Sequence, residues 1–335
     1  MFTSKQKNYT VKLENAKFAL NTTYSNLMKK TDIPISKKIN VFNAAVRTIM
    51  CYAGQVWGFL SFKEIEKLNL FFVRKLFCLP VNAPHYILYL ESNFYPIFCY
   101  TLNLHLNYIK KVLALPEGRL PKALAEEVIK NRIYWHKENL ELFGNLNISL
   151  DYVGVNPGTV VASFKSKFKE NMISKGQYSS FHSLYKHLVA DLGEGHYISD
   201  TNSFGLMKVI FKLRGQLVNL NYNVMRSEEQ WSCTLCNLGE REDMCHYLGK
   251  CPVLQEYRIR WLGKKALSQA EIINLLNSGN WTKLFCFHVS AYKYRMFLIS
   301  EYNTDTWEIG VDGEDLVDEY HVVEDTCSFP MPLER

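Results

Sequence analysis

The sequence predicts a mostly α-helical protein with a small cysteine-rich module near its end and a disordered acidic tail. Three observations carry this expectation. Apolar residues recur at helical spacing through long stretches that end at proline or glycine. Four cysteines and one histidine fall within the 22 positions 231–252, WSCTLCNLGEREDMCHYLGKCP. The segment 301–335 holds eleven acids and one base, Arg335, with little apolar periodicity.

The elements follow in order. Residues 1–34 are lysine-rich, with Leu13, Ala16, Leu20 and Leu27 at roughly helical spacing. Residues 35–79 read as helices, the second entered at Ser61 with Glu64 three residues on as a capping box and closed by Leu79-Pro80. Residues 97–113 form the next helix, followed by the breaker LPEGRLP and a helix over 122–143. The pattern loosens over 144–158 into a linker or exposed loop. Residues 160–220 are helical again, interrupted by DLGEGHY, and residues 266–302 give two helices with a turn near Ser278-Gly279-Asn280.

Charge is unevenly spread. Residues 1–300 hold 38 bases and 22 acids, a net of +16, against a formal +6 for the whole chain. A basic body points first to an acidic partner such as nucleic acid, and the tail is a candidate internal competitor for it. No apolar run of about 18 residues exists and the N-terminus lacks a signal-peptide core, so no membrane partner is expected. An intracellular chain (nucleus or cytoplasm) keeps its thiols reduced, so the cysteines read as core residues or metal ligands.

The spacing Cys233-x2-Cys236-x9-His246-x4-Cys251 brings two thiolates to one ion from a tight turn and closes the set with a second pair. Three sulfurs and an imidazole make a closed, structural Zn²⁺ site. Cys245 stands beside His246 and is an alternative fourth ligand. Glu240, Glu242 and Asp243 read as a solvated charged loop, with no HExxH or deaminase pattern to make the zinc catalytic.

Tyr52, Gln55, Val56, Trp57 and Gly58, then Phe72, Arg74, Lys75, Leu79, Pro80, Pro84 and Glu91, form two stretches that precede the cysteine–histidine window. Together with Cys233, Cys236, His246, Cys251, Pro252 and Arg258, they resemble the C-terminal part of non-LTR (LINE-type, jockey-like) retrotransposon reverse transcriptases. The resemblance spans roughly residues 35–300. Within it the resemblance implies a thumb-like helical domain (35–145), a helical connector (146–230), a CCHC zinc module (231–265) and C-terminal helices (266–302); composition adds a basic N-terminal segment (1–34) and the acidic tail (303–335). Such polymerases hold two Mg²⁺ ions on palm aspartates, and this chain has no Asp-Asp pair. The expectation is therefore a truncated, non-catalytic remnant that grips RNA or DNA.

Lysines and arginines that neutralise phosphates are the expected contacts: Arg74 and Lys75, with Lys250, Arg258, Arg260, Lys264 and Lys265 beside the metal window. Lys37, Lys38 and Arg47 add to the early set, and Tyr247, Tyr257 or Trp261 would stack on single strands. Trp57, Phe71 and Phe72 read as core, and Tyr294 and Arg295 as packing or capping residues. His85, His105 and His136 are given no role. The alternative is a zinc-stapled helical module for protein–protein interaction. Oligomeric state is left open.

Overall fold

The computed structural model describes residues 2–302 apart from Asn237. It is mostly helical and, among the described residues, has no strand; a single isolated antiparallel bridge joins Ser232 and Arg241. The acidic tail expected at 303–335 lies outside the described residues. No helix among them is long and apolar enough to cross a membrane. The chain divides into two compact units.

The first unit comprises the described residues to Leu76 together with Pro84–Lys175. Helix α1 (Phe2–Thr23) runs into a π turn, Tyr24–Met28, which buries Tyr24 and Met28. Pro34 starts α2 (Ile35–Val41), which passes through a second π turn, Phe42–Arg47, into α3 (Thr48–Met50). Short α4 (Gly54–Trp57) then leads to α5 (Lys63–Leu76). Ile65, Leu68, Phe72 and Leu76 recur every three or four residues on α5 and are buried. Phe72 stacks on Phe42 at 3.9 Å, whereas Trp57 and Phe71 are only half-buried. Ser61 lies two residues before α5 and does not cap it.

Gly58 explains the small residue at the end of the Tyr52–Gly58 stretch. A Cβ there would come within 2.1 Å of the Thr101 carbonyl oxygen on α7 (Ile97–Leu113), so only glycine allows this approach. Glu66 joins three helices: it accepts from Tyr89 on α6 (His85–Ser92), from Asn69 at 2.8 Å and from the Ile97 amide at 2.9 Å. Helix α7 has the bounds that periodicity indicates, with Leu102, Leu106 and Ile109 inward.

The helix expected over 122–143 is two helices, α8 (Leu120–Lys130) and α9 (Tyr134–Asn145). Asn131 caps α8 by donating its amide to the Glu127 carbonyl, and Arg132 and Tyr134 take positive φ. No glycine or proline marks that break. The segment over 144–158, expected to be a linker or exposed loop, is mostly a loop with many exposed residues but not a linker. Leu146, Ile148, Leu150, Tyr152 and Val155 pack on the core of Leu102, Leu106, Phe143 and Val160. The first unit therefore continues past the expected division at 145/146 into α10 (Pro157–Gln177). His105 bonds the Gln55 carbonyl and His136 the Tyr152 hydroxyl, so both histidines are packing residues.

The second unit comprises Phe77–Ala83 and the described residues from Gly176 onward. Phe77 packs its ring against Phe211 on α11 (Phe204–Arg214), which Ser203 caps. Irregular chain around buried Tyr197 follows α10, in place of part of the helix expected over 160–220. Helices α12 (Gln255–Leu262), α13 (Gln269–Asn277) and α14 (Trp281–Tyr302) complete the unit. Ser268 and Glu271 form the capping box of α13, and the turn to α14 falls at 278–280. Arg214 is buried and donates to the carbonyls of Leu276 and Val189, tying α11 to α13 and to the loop before it.

Candidate metal centre

The site begins with a tight loop. Cys233 N bonds the Glu240 carbonyl at 2.9 Å and Glu242 N bonds the Trp231 carbonyl at 2.8 Å, so the Ser232–Arg241 bridge closes the chain on itself. Gly239 supplies the positive φ, 64°, that the reversal needs. This loop offers Cys233 and Cys236. The second pair comes from the π turn His246–Lys250 and the residue after it, with Cys251 N bonded to the His246 carbonyl at 2.8 Å. Asp243 accepts from the His246 amide at 2.9 Å and starts that turn.

Cys233, Cys236, His246 and Cys251 are all buried, and one ligand atom from each lies within 4.8 Å of the others. They could hold a metal ion, and no other such group occurs among the described residues. Tetrahedral ligands about 2.0–2.3 Å from an ion sit roughly 3.3–3.8 Å apart, within the 4.8 Å limit these atoms meet. Cys245 is outside the group and half-buried; burial and then Asp243 push its thiol up to about 11. The open choice between His246 and Cys245 is thus resolved in favour of the imidazole.

The thiols and the imidazole are electrostatically coupled. Cys251 is lowered chiefly by its bond with Cys233, whose own thiol is pushed up to about 12 by that bond and by burial. Burial works downward on His246, but its bonds with Cys233 and Glu240 outweigh this and raise it. Glu240 accepts the Nδ1 proton at 3.2 Å, which leaves Nε2 facing the Cys236 sulfur at 3.4 Å. A carboxylate behind a histidine ligand fixes the tautomer and raises basicity. Glu240→Gln is therefore expected to weaken metal affinity about 10- to 100-fold in a chelator-competition titration while the fold persists.

The charged loop is not merely solvated, which corrects the expectation for Glu242 and Asp243. Glu242 is 2% exposed and forms a two-bond ion pair with Arg295 on α14, at 2.6 and 2.8 Å. It also accepts from the Asn221 amide at 2.8 Å. Burial pulls Arg295 down, but the Glu242 bonds override it and hold the guanidinium charged. The metal loop is thereby anchored to the last helix. Sequence reasoning missed this pair because its members stand 53 residues apart and no local pattern links them.

The expected nucleic-acid contacts divide. Arg258 is withdrawn: it is 1% exposed and donates to the carbonyls of Cys251, Lys265 at 3.0 Å and Tyr247. Its fork closes the end of the metal turn, so Arg258→Ala removes three bonds to carbonyls together with a buried side chain and should cost roughly 2–4 kcal/mol in urea unfolding. Tyr247 is also buried, with its hydroxyl against His288 at 3.1 Å, and offers no stacking face. Lys250, Arg260, Lys264 and Lys265 are exposed. Of these, Lys250 pairs with Glu240 at 3.6 Å, Lys264 pairs with Glu271, and Arg260 lies over Trp261.

In the first unit Arg74 and Lys75 occupy the last turn of α5, where cations complement the helix dipole. Both are half-buried; burial lowers the Arg74 guanidinium, and Lys75 donates to Asn21 at 2.8 Å beneath the Tyr24 ring. Lys38 is buried and bonds the Lys30 carbonyl. Comparison of the chain with family models, with characterised proteins and with solved structures found no match.

Proposed function

We propose that the chain is a non-catalytic nucleic-acid-binding region, corresponding to the C-terminal part of a LINE-type reverse transcriptase, in which a structural Zn²⁺ at Cys233, Cys236, His246 and Cys251 organises the second unit. Zinc is favoured by the donor set: three thiolates and one imidazole are borderline-soft ligands, and four protein ligands leave no position for a reacting water. Once bound, the ion supplies cross-linking between the two halves of the loop. The chain's own residues orient it: Glu240 fixes the imidazole, Arg258 secures the carbonyls behind Cys251, and Glu242 with Arg295 fastens the loop to α14.

The observation that carries the nucleic-acid reading is charge. Residues 1–300 hold a net of +16, far more than ordinary solubility demands. With Arg258 and Lys75 engaged internally, the contacts favoured in the second unit are Arg260, Lys264 and Lys265. A salt titration against single-stranded RNA and duplex DNA tests the reading. Five phosphate contacts give a slope near −3.5 on single strands, about a hundredfold weakening from 50 to 200 mM salt. Undetectable binding at low salt, or binding indifferent to salt, refutes it. The burial of Arg258 and Tyr247 favours a second reading, a zinc-stapled protein-interaction module, and that same null result would select it.

A further inference from the structure

Helix α8 is thinly packed for its composition. Leu120, Leu124, Val128 and Ile129 make it apolar, yet Ala125 alone of its eleven residues is buried. Leu120 and Leu124, four apart and therefore on one face, are 69% and 59% exposed. A helix of this length is marginal in water on propensity alone and draws its stability from covering an apolar face. Helix α8 leaves part of that face bare.

The turn that follows extends the bare surface. The Ile133 amide bonds the Val128 carbonyl at 3.2 Å, which folds the turn back against the end of α8. Arg132 and Tyr134 take φ of 53° and 47°, a strained conformation for residues with a Cβ. The strain does not serve a core, because Ile133 is 41% exposed and Tyr134 74%. Backbone strain of this kind persists where it serves recognition, and here it presents an aromatic ring and a β-branched side chain to solvent.

Charge narrows the choice of partner. Residues 117–141 hold five Lys and Arg and five Asp and Glu, a net of zero, whereas residues 1–76 hold thirteen against four, a net of +9. The cations of α8 are already matched along the helix. Lys122 pairs with Glu117 and reaches Glu126 at 3.9 Å, and Lys130 reaches Glu127 at 4.0 Å. Such a surface gives a polyanion nothing to neutralise, and a strongly acidic protein would choose the N-terminal helices instead. Two copies of this chain repel each other through their basic surfaces, but a charge-balanced apolar patch can meet its own copy without that cost. We propose that the α8–α9 corner is the contact of a two-fold dimer, with Leu120, Leu124, Ile133 and Tyr134 at its centre and the paired charges around them. The proposal does not depend on the nucleic-acid reading.

Sedimentation of the full-length chain across micromolar concentrations tests it, and salt gives the result a distinctive sign. Salt screens the repulsion between two basic bodies and leaves the apolar contact in place. The dimer should therefore tighten as salt rises, whereas polyanion binding weakens. Each residue of a two-fold interface occurs twice, so a loss of about tenfold per contact becomes about a hundredfold for Leu124→Lys or Tyr134→Ser. Phe18→Lys, at a residue 74% exposed on α1, should leave the dimer unchanged. Both patch residues are exposed, so their variants should keep the circular dichroism of the wild type. If either misfolds, Glu127→Cys supplies a second reading: a short bis-maleimide should link two copies of that variant more than it links the wild type. A chain that stays monomeric in high salt overturns the proposal. So does a dimer that Phe18→Lys weakens as much as Leu124→Lys, or one that the Glu127→Cys position fails to link.

Discussion

Changing Cys233 and Cys236 together to Ser is expected to abolish metal binding and unfold the segment from about residue 220 to residue 267. The reason is one of magnitude. A structural zinc contributes on the order of 10–16 kcal/mol of apparent binding free energy in small zinc modules. Whole domains are stable by only about 5–15 kcal/mol. Without the ion the two ligand pairs are joined only by one isolated bridge and short turns, and the Glu242–Arg295 pair and the Arg258 fork hold the rest of the segment. Limited proteolysis should cut the variant within this segment while helices of the first unit stay protected. A chelator added to the wild-type chain should reproduce the pattern. Cys245→Ser should do neither, because Cys245 lies outside the ligand group.

The second large effect belongs to Glu242 and Arg295. Each is about 3% exposed, so removing one partner strands the other as a buried charge. Glu242→Ala is expected to cost about 3–5 kcal/mol in urea unfolding, and Arg295→Ala a similar amount. The double change Glu242→Leu with Arg295→Met should recover most of that loss, since apolar residues of similar volume often replace a buried pair without penalty. Two large single effects with a smaller double effect identify the pair as coupled. Additive losses would place their importance in separate contacts instead.

Much of the architecture was legible in the sequence, and the failures have a common physical origin. Helix α7 and the 278–280 turn follow from 3.6-residue periodicity and glycine chemistry, which act locally. The ligand set was legible because knuckle spacing is also local, although only geometry separates His246 from Cys245. The α8–α9 break was not legible, since Asn131 caps through a hydrogen bond that polar sequence alone does not reveal. Nor was the packing of residues 146–155, whose scattered apolar side chains meet their partners only across the core. Arg258 and Glu242 mislead for the reverse reason. A charged residue in a charged neighbourhood reads as surface, and only the folded chain delivers the carbonyls and the guanidinium that bury them.

These corrections shift the proposed interface as well as the list of contacts. Removing Arg258 and Tyr247 thins the basic and aromatic surface beside the metal, while exposed Lys17, Lys63 and Lys67 with Tyr52 enlarge the one on the N-terminal helices. On the proposed reading the metal module braces the second unit, and the basic N-terminal helices join Arg260, Lys264 and Lys265 in polyanion binding.

The central claim is that Cys233, Cys236, His246 and Cys251 form a zinc centre on which the second unit depends. Metal analysis of the purified full-length chain, run beside its Cys245→Ser and Cys233→Ser/Cys236→Ser variants, tests it most directly. The account predicts about one zinc per chain in the first two proteins and none in the third. A wild-type chain that is fully folded without metal, or zinc that is lost in Cys245→Ser and kept in the double variant, would contradict it.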